Sequence, residues 1–179
     1  MIVGLNARLI RRRLVFGGLL VLVGGAVWAV AASDELPAPQ EPVVLTVSGA
    51  IGATNAPGGA EFDRAMLERM GVRTLRTWTP WTEGVNEFAG VLARDLMSAV
   101  RAAGSELLAT ALNDFQAVIP VSDFQSYDVL LATSMNGTPL AVRDKGPIWV
   151  IYPWADHPEL DDLLTRRKSV WQLRHLHVQ

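Results

Sequence analysis

The run from Leu14 to Ala32 carries no charged residue, and it follows Arg8 and the triplet Arg11, Arg12, Arg13. It ends in Ala29-Val30-Ala31-Ala32, just before the first acids, Asp34 and Glu35. A basic start, an apolar stretch and a small-residue end form the order of a secretory signal, with the basic side left in the cytoplasm. The apolar part is also long enough to stay as a membrane anchor, since roughly 20 residues span a bilayer. Gly17-Gly18 and Gly24-Gly25, with no polar face, argue against a soluble core helix. Residues 1–32 are therefore expected to be a signal peptide or N-terminal anchor, and whatever folds must be built from the rest.

Charge changes once that segment is set aside. The chain has 16 lysines and arginines and 18 acids. Removing the four leader arginines leaves 12 basic residues against 18 acids, a net of −6. An acidic domain is a poor partner for nucleic acid, and none is expected. The chain has no cysteine, which excludes disulfides, thiolate metal ligands and a cysteine nucleophile. It does not argue against export, because about 140 residues bury enough apolar surface to fold without cross-links.

Leu36-Pro-Ala-Pro-Gln-Glu-Pro42 reads as an extended stretch, so 33–42 is expected to be a linker and 43–179 the domain. Val43 to Ser48 reads as a strand and Ile51 to Ala60 as a loop. Glu61 to Met70 predicts a helix, with Phe62, Met66 and Met70 on one face and Gly71 as its stop. Thr74 to Trp78 is a strand ended by Pro80, and Asn86 to Val91 is extended. Ala93 to Ala103 predicts a second helix and Glu106 to Leu112 a strand. Asn113 to Ser126 reads mostly as loop, while Tyr127 to Met135 and Thr138 to Val142 flank the hairpin signal Asn136-Gly137. Ile148 to Tyr152 is a buried strand, His157 to Arg167 includes a short helix, and Val170 to Val178 alternates as a last strand. Strands mixed with two main helices and hairpins predict a single α+β domain rather than a doubly wound sheet.

Several segments occur in a recognisable order: Val47-Ser-Gly49, Leu75-Arg76-Thr77, Phe88 to Leu92 leading into Asp95-Leu96-Met97, and Ala111-Leu112-Asn113-Asp114-Phe115 with Ile119-Pro120. Leu131-Ala132, Met135-Asn136-Gly137, Pro139-Leu140, Gly146-Pro147, Ile151 to Trp154 and Trp171 continue it. This order resembles the sulfite-oxidase-type molybdopterin domain, which implies mixed sheets around a pterin cleft. In enzymes of that type a cysteine binds the metal, commonly with three residues between it and a Trp that is followed by a small hydroxyl residue. Here Thr77 takes that place before Trp81-Thr82. A neutral hydroxyl is a poor substitute for charged sulfur on a high-valent metal. Phe115 also stands where those enzymes often carry a tyrosine, so the phenolic donor is missing.

Thr74 to Thr82, Ala111 to Phe115 and Lys145 to Trp154 resemble the PruR-like exported pterin-binding regulators, which share that domain without its cysteine. The resemblance implies no catalysis, a reduced pterin (a tetrahydropterin) as ligand, and a periplasmic location. It also implies an inner-membrane signalling partner with a periplasmic sensor domain, such as a cyclic-di-GMP synthase/phosphodiesterase or a sensor kinase. The alternative is a molybdopterin-dependent oxidoreductase with a cysteine-free metal site.

A pterin is a flat bicycle with a donor-rich edge and a polar tail, so its site needs an aromatic face, acceptors for the edge and donors for the tail. Trp78, Trp81 and Trp154 are candidate faces, Asn113 and Asp114 candidate edge readers, and Arg143 and Lys145 candidate tail holders. Each has a plainer reading as well. A tryptophan can pack in the core, Asn113-Asp114 can be an ordinary turn pair, and Arg143 to Gly146 a charged turn. Thr77 completes the candidate set, and its hydroxyl can simply bond the backbone. His175 and His177 share one face of a strand, with His157 beside Asp156, and read as a solvated edge without a third ligand. Asp161-Asp162 with Arg166-Arg167-Lys168 reads as an exposed helix with opposite charges at its ends, or as a docking surface.

Overall fold

Alternation of buried and half-exposed residues in Leu45–Gly49 (β1) sets one face of a five-stranded sheet, with Leu45 and Val47 inward and Thr46 and Ser48 outward. The computed structural model describes residues 36–179, so the expectations for the leader lie outside it. β1 pairs in parallel with the last strand, Leu173–Val178 (β10), and antiparallel with Gly59–Phe62 (β2). Glu106–Ala111 (β5) and Gln116–Pro120 (β6) complete the order β2-β1-β10-β5-β6. Joining the first strand to the last puts β10 in the middle of this sheet.

A second sheet runs Arg73–Thr77 (β3), Asn86–Leu92 (β4), Leu130–Met135 (β7) and Thr138–Pro139 (β8), and Trp149–Ile151 (β9) also pairs with β7. Its buried side chains, Phe88, Leu130, Leu131 and Trp149, share one apolar core with Leu45, Phe62, Leu107 and Leu176 of the first sheet. Full burial of each such side chain is worth about 1.5–3 kcal/mol. At Ala89/Gly90 the β4–β7 register shifts, and a Cβ on Gly90 would stand 2.0 Å from the Leu131 carbonyl oxygen.

Four short helices link the strands: Arg64–Arg69 (α1), Ala93–Ala99 (α2), Val121–Ser126 (α3) and Leu163–Lys168 (α4). The architecture is the expected single α+β domain, with four helices in place of two. The first helix begins later than its apolar spacing predicted, because Glu61 and Phe62 pair with Thr46 and Leu45 in the sheet. The segment expected as loop after Asn113 holds β6 and α3. Ile119 is buried there, and Asn113-Asp114 turn the chain from β5 into β6. Asn136-Gly137 forms the expected hairpin between β7 and β8, both residues at positive φ.

Asp63 caps α1. One carboxylate oxygen accepts from Met66 N at 2.7 Å, and the other accepts from Gln40 N at 2.7 Å and Glu41 N at 3.1 Å, tying the proline-rich stretch to the domain. The Met66 amide first, then that of Gln40, holds the Asp63 carboxyl below the ordinary carboxylate range. A depressed folded value contributes stability above the unfolded pKa, and that contribution is lost as pH falls through the folded value. Asp63→Asn is expected to melt at lower temperature at neutral pH and to lose less on acidification than the parent. Thermal melts from pH 7 down to about pH 3 check this, since carboxylates titrate near 3.9 when free.

Candidate functional site

Thr77 ends β3 and is buried, its hydroxyl donating to the Trp78 carbonyl at 3.1 Å and accepting from Ala155 N at 2.9 Å. The following Thr79-Pro80-Trp81-Thr82 closes as a turn. Thr82 N donates to Thr79 O at 3.3 Å, and the two threonine hydroxyls lie 2.9 Å apart. Trp81 N donates to the Thr79 hydroxyl at 3.2 Å. These bonds aim Trp81 into an aromatic cluster, 5.4 Å from Trp171, 6.0 Å from Trp149 and 6.1 Å from Trp154 between ring centroids. Trp78 lies against Trp154 at 6.1 Å. Trp154 and Trp149 are fully buried, with indole N–H groups donating to Leu160 O at 3.0 Å and the Ser169 hydroxyl at 3.1 Å.

One side of this cluster opens as a cleft of about 430 Å³. Trp81, Trp171, Phe115, Val170 and Leu163 supply its apolar walls, and Asn113, Arg166 and Arg167 its polar groups. Asn113 reaches it from the β5–β6 turn, where its side-chain oxygen accepts from Phe115 N at 3.2 Å. Arg166 and Arg167 come from α4, whose N-terminus is capped by Asp162 accepting from Leu164 N and Thr165 N. The other end of α4 is held where Lys168 and the Tyr152 hydroxyl both donate to Asp123, at 2.5 and 2.8 Å. Burial first, then the Asp123 charge, pushes the Tyr152 phenol up, so it stays a donor. Arg166 is spent on Asp161 at 2.6 Å, whereas Arg167 has no ion-pair partner among the described residues.

The structure thus brings Trp81 and Asn113 into one cleft, while the other candidates lie outside its lining. Lys145, in a left-handed turn, holds its ammonium 5.4 Å from the Trp149 ring and 5.6 Å from Trp171. Asp114 is exposed and pairs with Arg174 at 2.5 Å. Arg143 is exposed and pairs with Asp144 at 3.2 Å. Trp78 and Trp154 lie in the cluster, and Thr77 lies beneath it. Trp171, Phe115 and Arg167 line the cleft and stood outside the candidate set. The only signal for Arg167 was the basic run that reads as a helix end.

Outside the cleft lining, His175 and His177 stand on β10, a central strand rather than an edge. Burial, then the charges of His177 and Arg174, hold His175 below the ordinary imidazole range. Among the described residues no group of three His, Cys, Asp or Glu comes together to hold a metal.

One mixed sheet and one antiparallel sheet thus share a core, with an aromatic cleft at one side of it. The chain belongs to the oxidoreductase molybdopterin binding domain family, whose model matches residues 61–155. Among solved structures it is similar to the sulfane dehydrogenase SoxCD from Paracoccus pantotrophus, at 17% identity with a TM-score of 0.54. That likeness concerns the fold and covers 75% of this chain but only 37% of the SoxCD chain. No curated protein sequence matches the chain.

The family implies a molybdenum cofactor, and the two parts of that group meet different surroundings. The cleft walls and Asn113 suit a pterin. Thr77, the residue that the resemblance sets at the metal-binding cysteine's place, offers a neutral hydroxyl that already donates to Trp78 O and accepts from Ala155 N. That donor set does not fit a thiolate-held metal.

Proposed function

We propose that this chain is an exported, noncatalytic pterin-binding protein that takes a reduced pterin in the cleft beside Trp81 and reports it to an inner-membrane signalling partner. Its location in this reading is the periplasm. The partner is a protein with a periplasmic sensor domain, of the cyclic-di-GMP synthase/phosphodiesterase or sensor-kinase kind. The cleft between Trp81 and Trp171 carries the reading: its volume and apolar walls suit a flat bicycle, Asn113 offers an amide to the ring edge, and Arg167 leaves a cation for the polar tail. The neutral hydroxyl of Thr77, bonded to Trp78 O and Ala155 N, supports binding without metal chemistry.

Calorimetry of the full chain with a tetrahydropterin tests it. The expected result is one-to-one binding with a micromolar Kd, weakened at least about tenfold, or 1.4 kcal/mol, in Asn113→Ala. Absence of heat with any tetrahydropterin overturns the ligand. Stoichiometric molybdenum in protein isolated from its natural host overturns the noncatalytic reading in favour of a molybdopterin-dependent oxidoreductase.

A further inference from the structure

β1 and β10 lie side by side in parallel, with Thr46 opposite His175 and Ser48 opposite His177. Side chains alternate along a strand, so Ser48 and both imidazoles share the outer face while Leu45, Val47, Leu176 and Val178 enter the core. The Ser48 hydroxyl sits 2.8 Å from His175 Nε2 and 2.9 Å from His177 Nδ1. A hydroxyl has one proton and can give it to only one of these nitrogens, so the other ring must carry its own N–H toward the oxygen. Two imidazole nitrogens and an oxygen thus already converge, and the rings are held on a strand hydrogen-bonded on both sides.

Two further features favour an ion here. His175 lines an open groove of about 550 Å³, and Ser48 and His177 beside it are only half-buried. The neighbouring Arg174 is turned to Asp114 and the Ala111 carbonyl, at 2.5 and 3.0 Å, which engages its charge elsewhere.

We propose that Ser48, His175 and His177 form a site for a late first-row divalent metal ion, with the two imidazoles as ligands and Ser48 and water completing the shell. Borderline ions suit imidazole, and affinity follows the order in which Cu²⁺ exceeds Ni²⁺ and Zn²⁺. Such ions bind imidazole nitrogens at about 2.0–2.1 Å, so both rings turn inward from their bonds to Ser48 when the ion enters. The site is independent of the pterin cleft and stands or falls without it.

The test is titration of the full chain with Cu²⁺ or Zn²⁺ alone, followed by electron paramagnetic resonance of the Cu²⁺ form. One ion per chain with a micromolar Kd is expected, with hyperfine coupling to two imidazole nitrogens. His175→Gln and His177→Gln are each expected to weaken binding by at least about tenfold and to leave one coupled nitrogen. A Kd weaker than about 0.1 mM overturns the site. So does an unchanged affinity in both variants, or stoichiometric Cu²⁺ without the two-nitrogen pattern in the parent chain, a readout that needs no variant to fold.

Discussion

Replacing Gly90 with alanine is expected to leave the chain without a stable fold. The added Cβ would meet the Leu131 carbonyl oxygen at 2.0 Å and the Ala132 Cα at 2.8 Å, and both are backbone atoms of β7. No rotamer change relieves such a contact. β7 pairs with β4, β8 and β9, so moving it away disturbs three strand pairings at once. A loss of about 4–5 kcal/mol or more is the exceptional range for one substitution, and domains hold only about 5–15 kcal/mol in total. Gly84→Ala is the comparison. Its φ of +63° strains alanine but nothing lies within 4 Å, so only about 1–2 kcal/mol should go. Urea unfolding of the full chain measures both, and a Gly90→Ala protein as stable as Gly84→Ala would sink the argument.

Trp81→Ala is expected to produce the largest loss of ligand binding. The ring is both a wall of the cleft and the hub through which Trp149, Trp154 and Trp171 meet. Aromatic pairs are worth about 0.5–1.5 kcal/mol beyond burial, and removing a buried tryptophan costs about 3–5 kcal/mol. Trp81 is half-buried, so the lower end of that range applies to stability. For a tetrahydropterin the expected fall in affinity is about 10–100-fold, or 1.4–2.8 kcal/mol. Trp81→Phe should recover part of both effects. Calorimetry on protein whose fold is checked by circular dichroism decides it. A folded Trp81→Ala chain with the parent affinity would remove the cleft from consideration.

Strands with strong alternation or β-branching, such as β1, β4 and β5, were legible from residue order, as was the Asn136-Gly137 turn. β6 was not: Gln116–Pro120 is five residues long and ends in proline, which weakens any strand reading. The helix reading of 61–70 failed at its start because pairing of Glu61 with Thr46 outweighs the four-residue spacing of Phe62 and Met66. Of the candidates, Trp81 and Asn113 line the cleft, and both lie in segments that carry the family resemblance. Arg167 and Trp171 were not, because they join the cleft only when α4 and the approach to β10 fold back over the Trp81 turn. Thr77 was read with two outcomes open, and its hydroxyl bonds the backbone.

The tryptophan cluster has an optical consequence. Trp78, Trp81, Trp149, Trp154 and Trp171 form an unbroken chain of neighbours with ring centroids 5.4–6.4 Å apart. Indoles this close pass excitation among themselves before they emit, so the domain glows as one antenna rather than as five separate lamps. A ligand that absorbs where indole emits, seated against Trp81, is expected to drain that shared excitation, so that occupancy of the cleft is read in ultraviolet light without any added label.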